Sequence, residues 1–508
     1  MHLARLHAAG IEGVDGYLVT VEVSRMEPVI GVGRTTVVGL PDAAVRESID
    51  RITPALAASD LAHGGIDQLV VNLAPADRRK EGPSFDLAIA LGLATTAPAN
   101  ALPALPLDTL FYAELALDGT LRPVKGVLCA VLAARAAGLT RAIVAPANAA
   151  EAAVVSGIEV LAPDSLARCI AWLRGSALPA VTASTTAPVA NENAMCISDV
   201  RGQDHAKRAL VIAAAGSHNL LMLGPPGSGK TMLARRLPGL LPPLTLDEAL
   251  DATRIHSVSG LLTRGGLLTE RPFRAPHHNV SGAGLIGGGT IPRPGEVSLA
   301  HHGILFLDEL PEFPRTVLET LRQPLEDGFL TISRSGGRVR FPSQITLVAA
   351  MNPCPCGYLG HPTRRCVDST DATHRYRSKI SGPLLDRIDI HLEVPAQRPE
   401  TLIGDATPAG ETTAQARLRV QAARDRMLAR QGVANARLDT RGLRTHLHAK
   451  PEALALLTQA MEELGLSARA GDRISKVART IADLDDRPDV TLDDIAEAVG
   501  YRVLDRPS

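Results

Sequence analysis

The run Gly224-Pro225-Pro226-Gly227-Ser228-Gly229-Lys230-Thr231 carries what a polyphosphate needs. Its glycines let consecutive backbone N–H groups converge on an anion, Lys230 adds a cation, and Thr231 offers a hydroxyl to magnesium. Apolar Leu220-Leu221-Met222-Leu223 precedes the run and Met232-Leu233-Ala234-Arg235 follows it, so the expected order is strand, phosphate loop, helix. Farther on, Ile304-Leu305-Phe306-Leu307 ends in Asp308 and Glu309, as a buried parallel strand with acids at its carboxyl end would. Asp308 is expected to hold the magnesium through water and Glu309 to polarise an attacking water, because phosphoryl transfer needs mainly positioning and charge stabilisation. The alternative is a core strand followed by a helix capped by Asp308. A third apolar run, Ile345 to Met351, delivers Asn352, whose amide can orient the same water, and the Asn352-Pro353 step stops the strand. In Ser381 to Asp389, Arg387 stands between Asp386 and Asp389; a surface salt-bridge network would explain it as well as a catalytic charge.

Groups so far apart in the chain meet only if the strands that deliver them lie side by side. Four segments in this order, GPPGSGKT, ILFLDELPEF, AAMNPCPCGY and RYRSKISGPLLDRIDIHLEVP, resemble the magnesium-chelatase-like branch of the AAA+ ATPases, in its ComM/YifB family, and the resemblance runs nearly end to end. It implies an α/β multidomain chain: an α+β Lon-protease-like first domain, an AAA+ core with a parallel sheet, and a C-terminal α-helical lid. ATP with Mg2+ is the implied cofactor. By the same resemblance Asn352 is the sensor-one residue and Arg387 an arginine finger given in trans to a neighbouring subunit. Arg469, in Ser467-Ala468-Arg469, matches the sensor-two arginine of the lid. A trans arginine implies a ring, a homo-hexamer, because an isolated subunit would lack one catalytic charge.

A chain of 508 residues exceeds one ordinary core, so roughly two to four domains are expected. The segment 176–193 is rich in Ser, Thr, Pro and Ala without helical or strand period, and 396–410 loses the preceding strand pattern; both read as linkers. They divide the chain into 1–175, 194–395 and 411–508. In the last part helices are expected over Gln415 to Arg430, Pro451 to Leu464 and Arg473 to Leu484, with Thr491 to Asp494 as the capping box of a final one. No apolar run of about twenty residues and no signal peptide is visible. Six scattered cysteines make no disulfide framework. A cytoplasmic protein is expected.

The first domain invites a protease reading. Asn72-Leu73-Ala74-Pro75 and Arg79 to Asp86 resemble the nucleophile segment of Lon-type Ser/Lys proteases, with Ser84 at the serine. Such an enzyme needs a desolvated lysine as base, and the position of the Lon lysine here is Leu128. Lys125 lies three residues earlier. The expectation is that Ser84 caps a helix over Phe85 to Leu93 and that the domain is an inactive Lon-like fold kept for interaction or assembly. Cys354, Cys356 and Cys366 look like part of a metal knuckle, but zinc normally wants four ligands. Family members similar to this chain often place a cysteine where Asp368 stands. Asp368, His361 or His374 would have to complete a site, and a tight metal-free loop is the reading preferred over zinc.

Asp327 to Phe341 shows two β-like runs about a Ser-Gly-Gly turn and should be a hairpin. Arg334, Arg338 and Arg340 lie around its turn with no acid among them. In the branch this chain resembles, a hairpin before sensor one projects into the ring channel and touches nucleic acid. Basic side chains on phosphates would grip single-stranded or branched DNA without reading sequence; a solvated edge hairpin using charge against aggregation is the alternative. The segment Arg274 to Gly289, with His277 and His278, reads as a second mobile loop near the pore. Net charge is −1 and aromatic content 3%, so DNA contact must be local and base stacking has little to work with.

Three function classes compete. The first is an ATP-driven DNA translocase that, as the resemblance implies, promotes branch migration during natural transformation and recombination. The second is a chelatase-type remodelling ATPase acting on a protein partner, although the chain has no acidic integrin-like segment with a DxSxS run. The third, an ATP-dependent protease, is disfavoured by Leu128.

Overall fold

The computed structural model describes residues 2–26, 34–61, 68–182, 195–262, 265–289, 292–334, 337–397 and 410–505. They form two compact units, one of Met1–Pro188 with Ala249–Leu268 and one of Val189–Glu248 with Thr269–Ser508. Both linker segments fall largely outside the described residues. The described start of the first, 176–182, runs beside a strand, with Val181 N–H donating to the Val160 carbonyl at 2.8 Å.

In the first unit, strands β1 (His2–Glu12), β2 (Asp15–Met26), β3 (Thr35–Val38), β4 (Gln68–Ala74), β5 (Thr109–Tyr112), β6 (Arg141–Val144) and β7 (Glu159–Leu161) make a mixed sheet in the order β3-β4-β2-β1-β5-β6-β7. Inner residues of β2 and β4 alternate in burial, as a sheet with two different faces requires. Helices α1 (Ala43–Ala58) and α2 (Asp86–Thr96) share one core with Leu6, Val21 and Val71, and α3 (Val127–Ala136) shares another with Ala9, Leu110 and Val144.

The second unit is built on five parallel strands. The elements that position the site are α4 (Asp204–Gly216), β8 (Leu220–Leu223), α5 (Lys230–Ala234), β9 (Phe273–Arg274), β10 (Ile304–Leu307), α6 (Arg322–Asp327), β11 (Phe329–Arg334), β12 (Gly337–Pro342), β13 (Thr346–Met351) and β14 (Ile390–Glu393), with shorter helices and strands between them. The sheet order is β9-β10-β13-β8-β14, in register Leu220 with Val348 and with Ile390, and Leu305 with Leu347. Every residue of β8, β10 and β13 is buried, the continuous apolar pattern of strands covered on both faces. One face carries α4 and the C-terminal helices α7 (Thr413–Gln431), α8 (Pro451–Leu464), α9 (Ala468–Leu484) and α10 (Leu492–Gly500); the other is filled by Leu285, Phe313, Leu318 and Leu384.

The C-terminal helices follow their capping signals. Thr412 and Gln415 cap α7 reciprocally and Gly432, at φ +75°, ends it; Thr491 and Asp494 cap α10 in the same way. Helix α9 starts at Ala468, five residues earlier than Arg473, because the Ser467 hydroxyl accepts the Ala470 N–H at 3.2 Å. Among the described residues no helix is long and apolar enough to cross a membrane.

Candidate nucleotide site

The strand, loop and helix expected around Lys230 are present as β8, residues 224–229 and α5. Gly227 and Gly229 adopt φ of +77° and +90°, conformations that L-residues with a side chain rarely take. Gly224 is needed for a different reason: a Cβ there would lie 2.1 Å from the Val394 carbonyl oxygen, so the loop can leave the sheet only as a bare backbone. Gln203, at φ +56°, donates from Nε2 to the Ser228 carbonyl at 2.7 Å and steadies the loop from outside. Nothing in the spacing of the motif pointed to Gln203.

The side chains delivered by β8, β10 and β13 converge at the carboxyl ends of these strands. Lys230 Nζ donates to the Gly224 and Pro225 carbonyls at 2.7 and 2.9 Å and to Asn352 Oδ1 at 3.2 Å. The Thr231 hydroxyl donates to Asp308 Oδ2 at 2.7 Å. Burial pulls the Lys230 ammonium below the usual lysine range, while Asp308 and Glu309 push the other way. Asp308 does not cap a helix: its second oxygen accepts the Glu309 N–H at 3.0 Å, and the short 3-10 turn Leu310–Glu312 begins without a side-chain cap. Glu309 sits at φ +52° with its carboxylate half exposed. His278 Nδ1 lies 3.2 Å from Glu309 Oε2, a partner missed by sequence reasoning.

His278 belongs to the segment expected to be a loop, and there the expectation is corrected as to structure: the segment carries short regular elements. Residues 273–289 hold β9, the helix Gly282–Ile286 with its Ser281 cap, and Gly287–Gly288, which pairs antiparallel with Arg293–Pro294. Arg274 is gripped by Glu296 through two bonds of 2.6 and 2.8 Å.

Arg387 lies at the other end of the sheet. Asn219, just before β8, donates from Nδ2 to the Arg387 carbonyl at 2.9 Å, and its own carbonyl accepts the N–H groups of Asp389 and Ile390 at 3.1 Å each. The four residues of β8 therefore separate Arg387 from its own phosphate loop by roughly 13 Å, at about 3.3 Å per residue. Neither neighbouring acid holds it as the salt-bridge alternative supposed: the Arg387 guanidinium pairs with Glu326 on α6 and donates to the Pro383 carbonyl at 2.7 Å. Asp389 is buried and pairs instead with Arg473 at 2.8 Å and His218 at 3.2 Å. The bond from Arg387 holds the Glu326 carboxyl below its usual range, with Arg469 and Arg473 adding to the effect. Arg469, exposed and one turn before Arg473 on α9, thus groups with Arg387 and not with Lys230.

The hairpin is formed by β11 and β12, with Arg334 opposite Gly337 and Ser333 opposite Arg338; Ser335 and Gly336 lie outside the described residues. Arg338 and Arg340 are exposed and, two apart on a strand, share a face. The Arg340 guanidinium lies 3.4 Å from the centre of the Phe329 ring, leaving Arg338 the freer of the two. Arg334 is the last residue of β11.

In the first unit Ser84 is not a cap. Helix α2 begins at Asp86 with no side-chain cap bond, and Ser84 is buried in the preceding 3-10 turn Pro83–Phe85. Lys125 packs its side chain on Gly260, and Leu128 is buried in α3. The three cysteines of the presumed metal-free loop come together: Cys354 and Cys356 sulfurs are 3.4 Å apart, each is 3.6 Å from Cys366 Sγ, and Asp368 closes the cluster.

Family models describe the chain in three successive stretches: "Subunit ChlI of Mg-chelatase" over residues 21–148, "Magnesium chelatase, subunit ChlI" over 196–402, and "Magnesium chelatase, subunit ChlI C-terminal" over 410–502. The chain is 44% identical to Competence protein ComM of Haemophilus influenzae, covering 100% of this chain and 98% of that one. It is 42% identical to the Escherichia coli protein YifB, with the same coverage of both. The magnesium-chelatase subunit ChlI of Cyanophora paradoxa is 22% identical over 59% of this chain and 86% of its own length.

Proposed function

This chain belongs to the ComM/YifB family of magnesium-chelatase-like proteins, and on that footing we propose that it is an ATP-hydrolysing AAA+ ring motor that moves DNA. The observation that carries the reading is the division of ionic groups between two ends of one sheet. Lys230, Thr231, Asp308, Glu309 and Asn352 share the end of the sheet at the phosphate loop, whereas Arg387 and Arg469 stand at the opposite end. A chain so arranged completes a phosphoryl-transfer site only by lending its arginines to a neighbour's nucleotide, and repetition of that head-to-tail contact closes a ring, a hexamer by family resemblance.

Within each site the backbone of Gly224 to Thr231 cradles the phosphates and Lys230 turns from the loop carbonyls to the β/γ-phosphates. The touching hydroxyl and carboxylate of Thr231 and Asp308 are hard oxygen donors that fit magnesium, and they would hold the ion whose charge neutralises the phosphates. Glu309 and Asn352 orient the attacking water. Arg387 and Arg469 reach the neighbouring chain's γ-phosphate as charge develops there. The His278–Glu309 pair engages the carboxylate that must face this water. His278→Ala is therefore expected to raise basal turnover about threefold, the equivalent of roughly 0.6 kcal/mol for a half-exposed pair, with nucleotide affinity unchanged. Steady-state phosphate release checks it, and a lower rate would assign His278 to catalysis.

DNA is the proposed substrate because Arg338 and Arg340 share an exposed hairpin face, with Arg334 at its end, and because the relative from Haemophilus is named a competence protein. We read the first unit as an inactive Lon-like domain serving assembly, and the setting as cytoplasmic branch migration during transformation or recombination. The test is ATP hydrolysis with no DNA, single strands, duplex and a four-way junction across a salt series. DNA should stimulate hydrolysis, and Arg338→Ala should weaken DNA affinity by about tenfold at low salt and flatten its salt dependence by about one phosphate contact. Hydrolysis indifferent to every DNA would favour the second reading, a chelatase-type ATPase driving a protein partner, which the family models support equally well.

A further inference from the structure

We propose that Cys354, Cys356, Cys366 and Asp368 form a structural zinc site that ties the loop after Asn352 to the phosphate loop. At a Zn–S distance of about 2.3 Å, two thiolates of a tetrahedron lie about 3.8 Å apart. The three sulfurs are 3.4, 3.6 and 3.6 Å from one another, too far for a disulfide, whose sulfurs lie about 2.05 Å apart, and close to the spacing a shared ion imposes. Asp368 Oδ2 lies 3.8 Å from Cys366 Sγ and is aimed inward by the Cys356 N–H at 2.7 Å. Ligand atoms of all four residues fall within 4.8 Å of one another. His361 is elsewhere: its Nδ1 accepts the backbone N–H groups of Thr363 and Arg364. His374 stands on the following helix, Thr370–Arg377.

The donor set selects the metal. Three thiolates exclude magnesium and calcium, which take oxygen ligands, and a carboxylate as fourth donor suits four-coordinate zinc better than copper(I) or an iron–sulfur cluster, which prefer sulfur throughout. Binding releases the thiol protons as Zn–S bonds form, with no change in oxidation state.

The loop has need of such a staple. Residues 352–369 contain no helix or strand, Leu359 and Val367 are exposed, and Cys354 is the fully buried anchor. Yet the loop meets the nucleotide groups directly. Gly357, at φ +82°, approaches so closely that a Cβ would lie 2.6 Å from Pro226 Cδ and 3.8 Å from Asn352 Cγ. A metal held by Cys354 and Cys356, three residues and one residue before Gly357, fixes that contact, and through it both Pro226 and Asn352.

The test is metal content, independent of hydrolysis. The full-length chain, expressed in zinc-supplemented medium and purified without chelators or a histidine tag, should carry about one zinc per chain. Cys356→Ser and Asp368→Ala, both at partly exposed positions, should lower bound zinc at least about tenfold at a fixed competing chelator concentration, with unchanged circular dichroism. Cobalt(II) added to metal-free protein should give thiolate charge-transfer absorption and tetrahedral ligand-field bands, which Cys356→Ser diminishes. Wild-type protein that takes up neither zinc nor cobalt would overturn the proposal. So would zinc content and a cobalt spectrum unaffected by both substitutions, which would put the metal elsewhere.

Discussion

Glu309→Gln is expected to lower ATP turnover by about 10²- to 10⁴-fold, the range for loss of a positioned acid–base group, while ATP binding and ring assembly persist. The amide keeps the size of the carboxylate and removes its charge. The binding groups Lys230, Thr231 and Asp308 do not depend on the Glu309 side chain: they bond to loop carbonyls, to each other and to Asn352. What Asp308 takes from Glu309 is its backbone N–H, at 3.0 Å, which the substitution preserves. Phosphate release measured beside nucleotide binding and sedimentation separates the effects. Turnover within a few-fold of the unmodified protein would remove Glu309 from the mechanism, and parallel loss of binding would make it a structural residue.

Arg387→Ala should cost more, about 10³- to 10⁵-fold, as loss of a trans arginine does in related phosphoryl-transfer sites. Its distinguishing property is rescue. Mixed with Glu309→Gln chains, which cannot hydrolyse but still carry Arg387, the Arg387→Ala chains should regain part of their activity, because their intact phosphate loops meet a neighbour's guanidinium. Arg387→Lys should rescue poorly, since an ammonium lacks the planar fork that spans two phosphate oxygens. Arg387 is largely buried and bonded to Glu326 and the Pro383 carbonyl, so thermal unfolding of the variant must be followed in parallel. Absence of rescue at any mixing ratio, with assembly intact, would assign Arg387 to holding α6 against the β14 entry. In the proposed ring, assembly would exchange Glu326 for a phosphate at this guanidinium.

Much of the nucleotide site was legible because its signals are local. A phosphate loop is eight contiguous residues, and the acids and the asparagine are each announced by the apolar strand that delivers them. The C-terminal helices were equally plain from their caps, apart from the start of α9, where Ser467 outweighed the weak apolar pattern of the first turn. Ser84 shows the opposite case. Its expected role as a cap was a local inference, but the chain already turns as a 3-10 helix over Pro83–Phe85, which buries Ser84 inside the turn and starts the α-helix at Asp86.

Residue type and order thus sufficed for the phosphate loop, the parallel strands that carry its partners, the hairpin and the capped helices, since backbone conformation and strand burial depend on near neighbours and on hydrophobic period. Folding alone decided the pairings. Glu326 meets Arg387 from 61 residues away, His278 reaches Glu309, Arg469 joins the end of the sheet opposite its own phosphate loop, and Asp368 supplies the fourth donor that the spacing of three cysteines left open. Each of these depends on how separate segments pack around a buried sheet, and side chains brought together that way leave no periodic mark in the chain that carries them.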